Sequence, residues 1–582
     1  MNKFAPLSKL TSKLIYTLML SAGFAGAAQA SKEDHQEFEA TLHAPFVADA
    51  RASSELPEAR TFTLSFDYPF LEQARSVSWT LEVVSPDGVT VQQWQGKRAL
   101  ASKQVDVNVA WDGRGDSVIL SDGVYQVRMR ATDGDEEVEQ SWEIGIGKRV
   151  AQAMPAFAPL PMARQRSAGP RNATVSDGAL ARTDSVASPS AVGATASLPY
   201  TVYLGNLHSQ TNHSDGGGAL ASCTGAQAPQ SAAFGPAAAY AYAKGKGLDF
   251  LMASEHNHMY DGSDGTKLTA DPATAKALFQ SGLSAASKYN SANPGFLGMY
   301  GLEWGVINNG GHLNIFNPTE LLGWESNSSG QLLADTQTTK NDYAALYTLM
   351  RQRGWVGQFN HPSSSGQFLV NGTALGYTAD GDQAMALCEV LNTSAFSTNT
   401  TESETGRSTY EGACNKALEA GYHIAFSSDQ DNHCANWGAS YTNRTGVLIP
   451  TGTALTSASM IAAIKARRVY ATMDKNSQLI LTGNGKVMGE RFTNSGTLRL
   501  VANFASSTGK TVSSVRMYEG VPGRNGTVTQ LSTTATTTIT PAVGEHFYYA
   551  KVTQNDGNIL WSAPIWVTQT RATASAANIQ PR

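Results

Sequence analysis

The sequence predicts a multidomain protein in which a central (β/α) barrel is flanked by an N-terminal and a C-terminal β-sandwich. Three observations lead there. From about Thr61 to Gly147, and again from Leu479 onward, short runs alternate apolar and polar residues, the period of a strand with one buried face. Between those stretches, from Tyr200, strand-like runs alternate with helix-like ones over about 275 residues, the order expected of parallel strands joined by helices. The chain is also too long, at 582 residues, for a single hydrophobic core.

Residues 1–30 read as a secretory signal, with Lys3, Lys9 and Lys13, an apolar run from Leu14 to about Ala28, and Ala28-Gln29-Ala30 as a cleavage site, so that the mature chain begins near Ser31. Nothing later offers about 18 uninterrupted apolar residues, so no membrane span is expected in the mature chain. Residues 31–149 form the first sandwich, with FTLSFDYPF, SVSWTLEVVSP and GVYQVRMRATDG as strands and Asp87-Gly88 and Asp122-Gly123 as turns. WDGRGDSVILSDGVYQVRMRA is similar to the tail of the immunoglobulin-like domain of flagellar-hook scaffolding proteins and many secreted enzymes, which implies fold and not activity. Residues 150–198, rich in Ala, Pro, Ser and Arg, read as a flexible linker.

The barrel is expected over 199–475. TVYLGNL, LDFLMA, FLGMYGL, HLNIF, WVGQFN, ALCEVLN, YHIAFS and GVLIP read as its strands. PAAAYAYAKG with Pro236 at its opening, ADPATAKALFQSGLSAASKYN, NDYAALYTLMRQRG, YEGACNKALEAG and SASMIAAIKARR read as helices. Residues 476–570 return to short alternating strands such as QLILTGNG and TLRLVANF, and 571–582 form a disordered tail.

With 43 Lys+Arg against 48 Asp+Glu the formal net charge is -5, and no basic stripe could neutralise many phosphates, so long nucleic acid is not an expected partner. Cys223, Cys388, Cys414 and Cys434 all fall in the central region. An exported chain can oxidise them. Their spacing lacks CxxC, which argues against a thiolate zinc site. Cys223 and Cys434 each follow a candidate ligand loop and are the expected pair among three pairings.

In a barrel, side chains at the C-terminal ends of the strands converge on one face. Just past the predicted strands stand His208, Glu255 with His256, Glu303, His361 and Asp429, the last followed by His433; His312 lies beside the fourth strand. Seven histidines, the others being His213 and His258, fall in these loops, too many at one edge for unrelated structural roles. Imidazole with carboxylate and no thiolate points to zinc, manganese or iron. Several carboxylates allow bridging between ions about 3.5–4 Å apart.

NLHSQTNHSDG resembles the first motif of the PHP (polymerase and histidinol phosphatase) metallohydrolase superfamily, D-L-H-x-H-T-x-x-S-D-G. The resemblance runs on through LDFLMASEHN, YGLEWG, GGHLNIF, FNHPS, CEVLN, FSSDQDNH and RRVYATMD, from about Tyr200 to Asp474, and extends to the family's secreted carbaryl-hydrolase-like branch. It implies a distorted barrel holding two to three divalent ions. By position, His208, Glu303 and Asp429 would hold the first ion, Glu303 bridging to a second held by His312 and His361, with Asp215, His256 and His433 on the third. The family's S-D-x-H puts histidine where this chain has Asp431; a two-residue insertion restores it at His433, and Asp431 is the competing ligand. Gln210 stands where the family has the second histidine of H-x-H, which weakens the first ion's site unless His213 replaces it. Glu255 would orient a ligand, His258 would face substrate or serve structure, and Glu389 of CEVLN and Arg444 complete the lining. The glycines 216–218 would let substrate approach the backbone.

The resulting expectation is a secreted or periplasmic metal-dependent phosphoesterase. A metal-bound hydroxide would attack, with His361, His433 and Asp429 as catalytic residues. Diesters are favoured over monoesters because few Lys or Arg lie near the ligands, Arg444 being the best anion partner. Two other readings use the same residues: hydrolysis of a carbamate or carboxylic ester on the same metals, and a non-catalytic metal-binding envelope or adhesion protein. The expected partner is a small-molecule ester, with envelope contacts through the flanking β-domains. No G-x-S-x-G is present to supply a serine nucleophile.

Overall fold

The computed structural model describes Asp34, residues 37–49, 56–163 apart from 69, 70, 72, 102 and 117–119, and residues 198–307 and 310–571. The signal sequence expected over 1–30, the 164–197 part of the expected linker and residues 572–582 of the expected tail lie outside the described residues.

In the N-terminal region β1 (Glu39–His43), β2 (Arg60–Asp67) and β5 (Val105–Trp111) make one antiparallel sheet. A second sheet contains β3 (Arg75–Val84), β4 (Thr90–Leu100), β6 (Gly123–Thr132) and β7 (Glu137–Ile146) in the order β4-β3-β6-β7. Period-two patterning explains their pairing: every second side chain of β2, including Phe62, Leu64 and Phe66, is buried and shares a core with Val77, Leu81 and Val127 of the other sheet.

In the central region β8 (Tyr200–Asn206), β9 (Phe250–His256) and β10 (Leu297–Trp304) are parallel neighbours, joined by α1 (Pro236–Gly245) and α2 (Pro272–Ala292). Asp271 caps α2 by accepting from the amides of Ala273 and Thr274. β11 (Leu313–Ile315) runs antiparallel to β10 and to β12 (Gly357–Phe359). β13 (Met385–Thr393) lies parallel to β12 and to β15 (Ala425–Asp429), and antiparallel to β14 (Arg407–Thr409). α3 (Tyr343–Arg353), α4 (Ala379–Ala384) and α5 (Glu411–Ala420) precede β12, β13 and β15. β16 (Arg444–Pro450) is antiparallel to β8, and β17 (Val469–Thr472) is antiparallel to β16 although α6 (Ser457–Lys465) lies between them.

This architecture corrects the expected central (β/α) barrel. The strands belong to a 16-stranded mixed sheet, and β17 hands its hydrogen bonding on to the C-terminal strand Ile559–Trp561. Among the described residues no ladder joins β15 to β16 or β8, so the strands do not close on themselves. Connection length is the physical reason. Residues 305–312 between β10 and β11 are too few for the crossover that parallel neighbours require, so the chain turns back.

In the C-terminal region β18 (Ser477–Gly483), β20 (Leu498–Ser506) and β23 (Thr536–Ile539) form a separate sheet. β19 (Arg491–Ser495), β21 (Val512–Gly520), β22 (Thr529–Ser532), β24 (Gly544–Gln554), β25 (Ile559–Trp561) and β26 (Ile565–Thr570) extend the long sheet. Leu479, Leu500, Val515, Val552 and Ile565 share the core between them.

The start of the expected linker is a packed strap. Leu160 and Met162 are buried against this C-terminal core. The Leu160 amide donates to Gln478 Oε1 at 2.9 Å, and Gln478 Nε2 returns a bond to Leu160 O at 3.1 Å. A stretch that reads as aperiodic is thus held by side-chain amides and a few apolar anchors, features without a period to detect.

The N-terminal sheets are tied to the C-terminal strands by a buried charge. Glu143 on β7 takes Arg516 Nη1 of β21 and Thr553 Oγ1 of β24, and Arg516 Nη2 also donates to Val124 O at 3.3 Å. Glu143→Ala leaves the guanidinium buried without its partner, a change that costs about 3–5 kcal/mol. Denaturant unfolding should show that loss; a change below about 1 kcal/mol would mean that water reaches the site.

A more exposed pair adds a pH dependence. His546 Nδ1 lies 2.9 Å from Glu519 Oε1. This bond raises the imidazole's pKa, with burial opposing, and it lowers that of the carboxyl. The imidazole's contribution is fully present below its usual value of 6.5 and is lost as pH rises through the raised one. The carboxyl's is lost as pH falls through its lowered value. At most about 1 kcal/mol is expected, and comparing thermal melts of wild type and Glu519→Gln from acid to alkaline pH checks that the difference vanishes at both ends.

All four cysteines are joined, as Cys223–Cys434 and Cys388–Cys414. Such bonds belong to oxidising compartments. Among the described residues no helix is long and apolar enough to cross a membrane.

Candidate metal centre

The C-terminal ends of β8, β9 and β10 bring the first ligands together. Parallel pairing sets Glu303 of β10 beside His256 of β9, and His208 follows β8 after one more residue. The antiparallel return through β11 places His312 at the same edge, and His361 follows β12. The loop after β15 carries Asp431 and His433 back over β8, where the Gln210 amide donates to Asn432 O at 3.0 Å. His361 (φ 26°) and Asp431 (φ 46°) both hold left-handed backbone, a strain that clusters at functional sites.

Glu303 is the hub. Its Oε1 lies 3.0 Å from His208 Nε2, 3.1 Å from His312 Nδ1 and 3.5 Å from His361 Nε2, while Oε2 lies 3.6 Å from His256 Nδ1. Asp215 Oδ1 stands 3.7 Å from His256 Nε2 and 3.4 Å from His433 Nε2. Among the described residues, four groups have ligand atoms mutually within 4.8 Å: His208, Glu303 and His361; Asp215, His256 and His433; Asp34, His256 and His312; and Asp34, His258 and Asp264.

These donors fit a divalent cation. Two atoms each about 2.1 Å from one ion are about 3.0 Å apart at a right angle and about 3.4 Å apart at a tetrahedral angle, close to the spacings here. Asp431 Oδ1 is buried 3.1 Å from His208 Nε2, within the same range of spacings.

Burial and the neighbouring carboxylates act in opposite directions on these imidazoles. Burial opposes protonation of His208, but Asp431, Glu303 and Glu389 raise its pKa well above the usual value. His312 is brought to about 10 by Glu303 and Asp34 against the same burial. For His256 burial wins and takes it to about 4. Asp429 is pushed up to about 7 by burial and by the charge of Glu389.

Not every expected ligand joins a group. Asp429 accepts from the Leu207 amide at 2.6 Å and from Thr445 Oγ1 at 3.1 Å, and Asp431 faces His208 in its stead. His213 bonds Tyr300 OH at 2.7 Å and does not replace the missing histidine. Gln210 donates to Glu303 and accepts from Ser214 Oγ at 3.0 Å, bracing the hub. Glu255 holds the first loop by accepting from the Thr211 amide (3.0 Å), Thr211 Oγ1 (2.5 Å) and Ser214 Oγ (2.6 Å). Glu389 supports His208 Nδ1 at 3.2 Å and the His361 amide at 2.7 Å. His258 stands in the fourth group and stacks on Trp324.

Three residues escaped the sequence reading: Asp34, Asp264 and Asn360, whose Nδ2 donates to Glu303 Oε1 at 2.8 Å. Asp264 was detectable, sitting in a carboxylate-rich turn six residues beyond His258. The glycines serve the protein itself and not substrate. A Cβ at Gly216 would meet the Gln210 backbone at 2.4 Å, and Gly217 (φ 77°) lies against Phe234 O.

A cavity of about 640 Å³ opens between the N-terminal sheets and the central region and reaches His361 and Asp431. Its described lining has nine Asp or Glu side chains and neither Lys nor Arg. Arg444, the expected anion partner, is buried and spends its donors on Glu402 Oε1 (2.8 Å), Gly438 O (2.9 Å), Asn443 O (2.6 Å) and Tyr441 O (3.0 Å). These placements overturn the phosphoesterase expectation, since an anionic phosphoester would enter a cleft of like charge with no cationic side chain to hold it.

No family model and no curated protein matches the chain. Among solved structures it is similar to β-glucuronidase 2 of Bacteroides uniformis, with 10% identity over 92% of this chain and 61% of that one at a TM-score of 0.14. It is also similar to the β-glucuronidase of Parabacteroides merdae, with 8% identity over 93% and 65% at 0.16. The chain therefore spans less than two thirds of these enzymes, and superposition that poor carries no argument about fold or chemistry.

Proposed function

We propose that the chain is a metal-dependent hydrolase, exported to an oxidising compartment, whose substrate is polar and carries no net negative charge. The observation that carries this reading is the set of His and carboxylate atoms around Glu303 at the spacing of shared ligands. Apart from Asp429, the ligands of the PHP-like motifs are these same residues, and the two disulfides support export.

A bound zinc, manganese or iron ion would act as a Lewis acid and make water a nucleophile near neutral pH. His208, Glu303 and His361 form one cation position, and Asp215, His256 and His433 another. Asn360 and Gln210 fix the Glu303 oxygens, and Glu389 fixes the ring of His208, so the ligands are preorganised. His361 and Asp431 line the cavity, and Asp431, held ionised by His208 and His433, would add a further carboxylate to the cation position at His208. The acidic walls admit neutral or cationic substrates and repel anions.

The test loads the full chain with zinc or manganese and assays chromogenic substrates in neutral, cationic and anionic versions. Chelation should abolish turnover, added metal should restore it, and anionic versions should react at least about tenfold more slowly. Full activity after strict chelation would end the reading.

A further inference from the structure

Asp34 lies far from the ligand motifs in sequence yet is 1% exposed and inside the cluster. Its two oxygens face different histidines. Oδ1 is 3.0 Å from His312 Nε2 and also takes the Ile307 amide at 3.3 Å, while Oδ2 is 3.0 Å from His258 Nε2 and 3.5 Å from His256 Nδ1. Asp34 Oδ2 and both ring nitrogens of His258 are buried, with Oδ2 and Nε2 facing each other directly. Atoms at about 3.0 Å from one another also have the spacing of neighbours in one coordination shell. Asp264 Oδ1 completes this group, 3.6 Å from His258 Nε2.

A buried carboxylate is costly unless paired with positive charge. Here three imidazoles converge, His312 on Oδ1 and His258 and His256 on Oδ2, and a carboxylate whose two oxygens face different histidines has the form of a bridging ligand. We propose that Asp34 bridges two cation positions, one with His256 and His312 and a further one with His258 and Asp264. The segment before β1 would then be a ligand-bearing part of the centre. This rests on the metal-binding part of the proposed function and adds a position that the motif set does not contain.

The test measures zinc per chain by elemental analysis, on full-length protein stripped with chelator and reloaded, for wild type, Asp34→Asn and His258→Gln. His258→Gln should bind one ion fewer than wild type, and Asp34→Asn should lose at least one ion or bind it at least tenfold more weakly. Wild-type stoichiometry and affinity in both variants would overturn the bridge while leaving the ions at Glu303 in place. A wild-type protein that binds no zinc would sink the proposed function itself. Should either variant fail to fold, limited proteolysis of wild type decides: cleavage before residue 38 is expected in stripped protein and blocked after zinc loading, and equal cleavage in both states counts against the bridge.

Discussion

Glu303→Gln is expected to strip at least one ion from the zinc-loaded protein and to reduce hydrolysis to about a thousandth or less. Glu303 is buried near the end of β10, and four imidazoles approach its two oxygens within 3.6 Å. Glutamine keeps the shape but replaces a charged oxygen with an amide donor that faces atoms needing an acceptor. Losing such a ligand removes several kcal/mol of charge stabilisation, and about 4 kcal/mol corresponds to roughly a thousandfold in rate. Elemental analysis of the variant is the direct check. Zinc content equal to wild type would show that Glu303 is a structural partner of the histidines and not a ligand.

Replacing Cys223 and Cys434 together by serine is expected to produce the largest loss of stability. Their bond spans a sequence separation of 211, and closing so long a loop restricts the unfolded chain by about 5 kcal/mol. A fall in Tm of about 4 °C follows for a chain of this size. The bond also fixes the site: it joins the loop carrying Asp215 to the loop carrying His433, beside bonds from the Gly218 amide to His433 O (3.1 Å) and from the Ala435 amide to Gly218 O (2.9 Å). Zinc affinity at the Asp215 group should therefore weaken by about 10–100-fold, the usual effect of losing a ligand's support. The Cys388–Cys414 bond spans only 26 residues, and its removal should cost about 3.5 kcal/mol. Thermal melts and zinc titrations with and without reductant separate the effects; unchanged zinc affinity in the reduced protein would show that backbone hydrogen bonds alone hold His433.

Much of the local structure could be read from the chain. The eight expected central strands and five helices all appear, because apolar period, Pro236 at a helix start and Asp271 as a cap act over a few residues. Closure into a barrel could not be read this way. The antiparallel turn of β11 depends on the short 305–312 connection, and β16 and β17 pair antiparallel despite the helix between them, so a helix between strands does not prove a crossover. The strap at Leu160 and Met162 carries no periodicity at all.

The site divides in the same way. That imidazoles and carboxylates gather at strand ends is a property of spacing along the chain, and it placed His208, His256, Glu303, His312, His361 and His433 within reach of one another. Which carboxylate serves is a matter of ångströms. Asp429 and Asp431 differ by two residues, yet one turns to the Leu207 amide and the other to His208. Charge is likewise decided in space, since Arg444 is consumed by Glu402 and backbone carbonyls, and acids from the N-terminal sheets wall the cavity. Local periodicity and residue chemistry belong to the chain itself and are visible in it. The arrival of Asp34 and the sign of the cleft come from contacts between residues hundreds of positions apart, which only the packed sheets bring together.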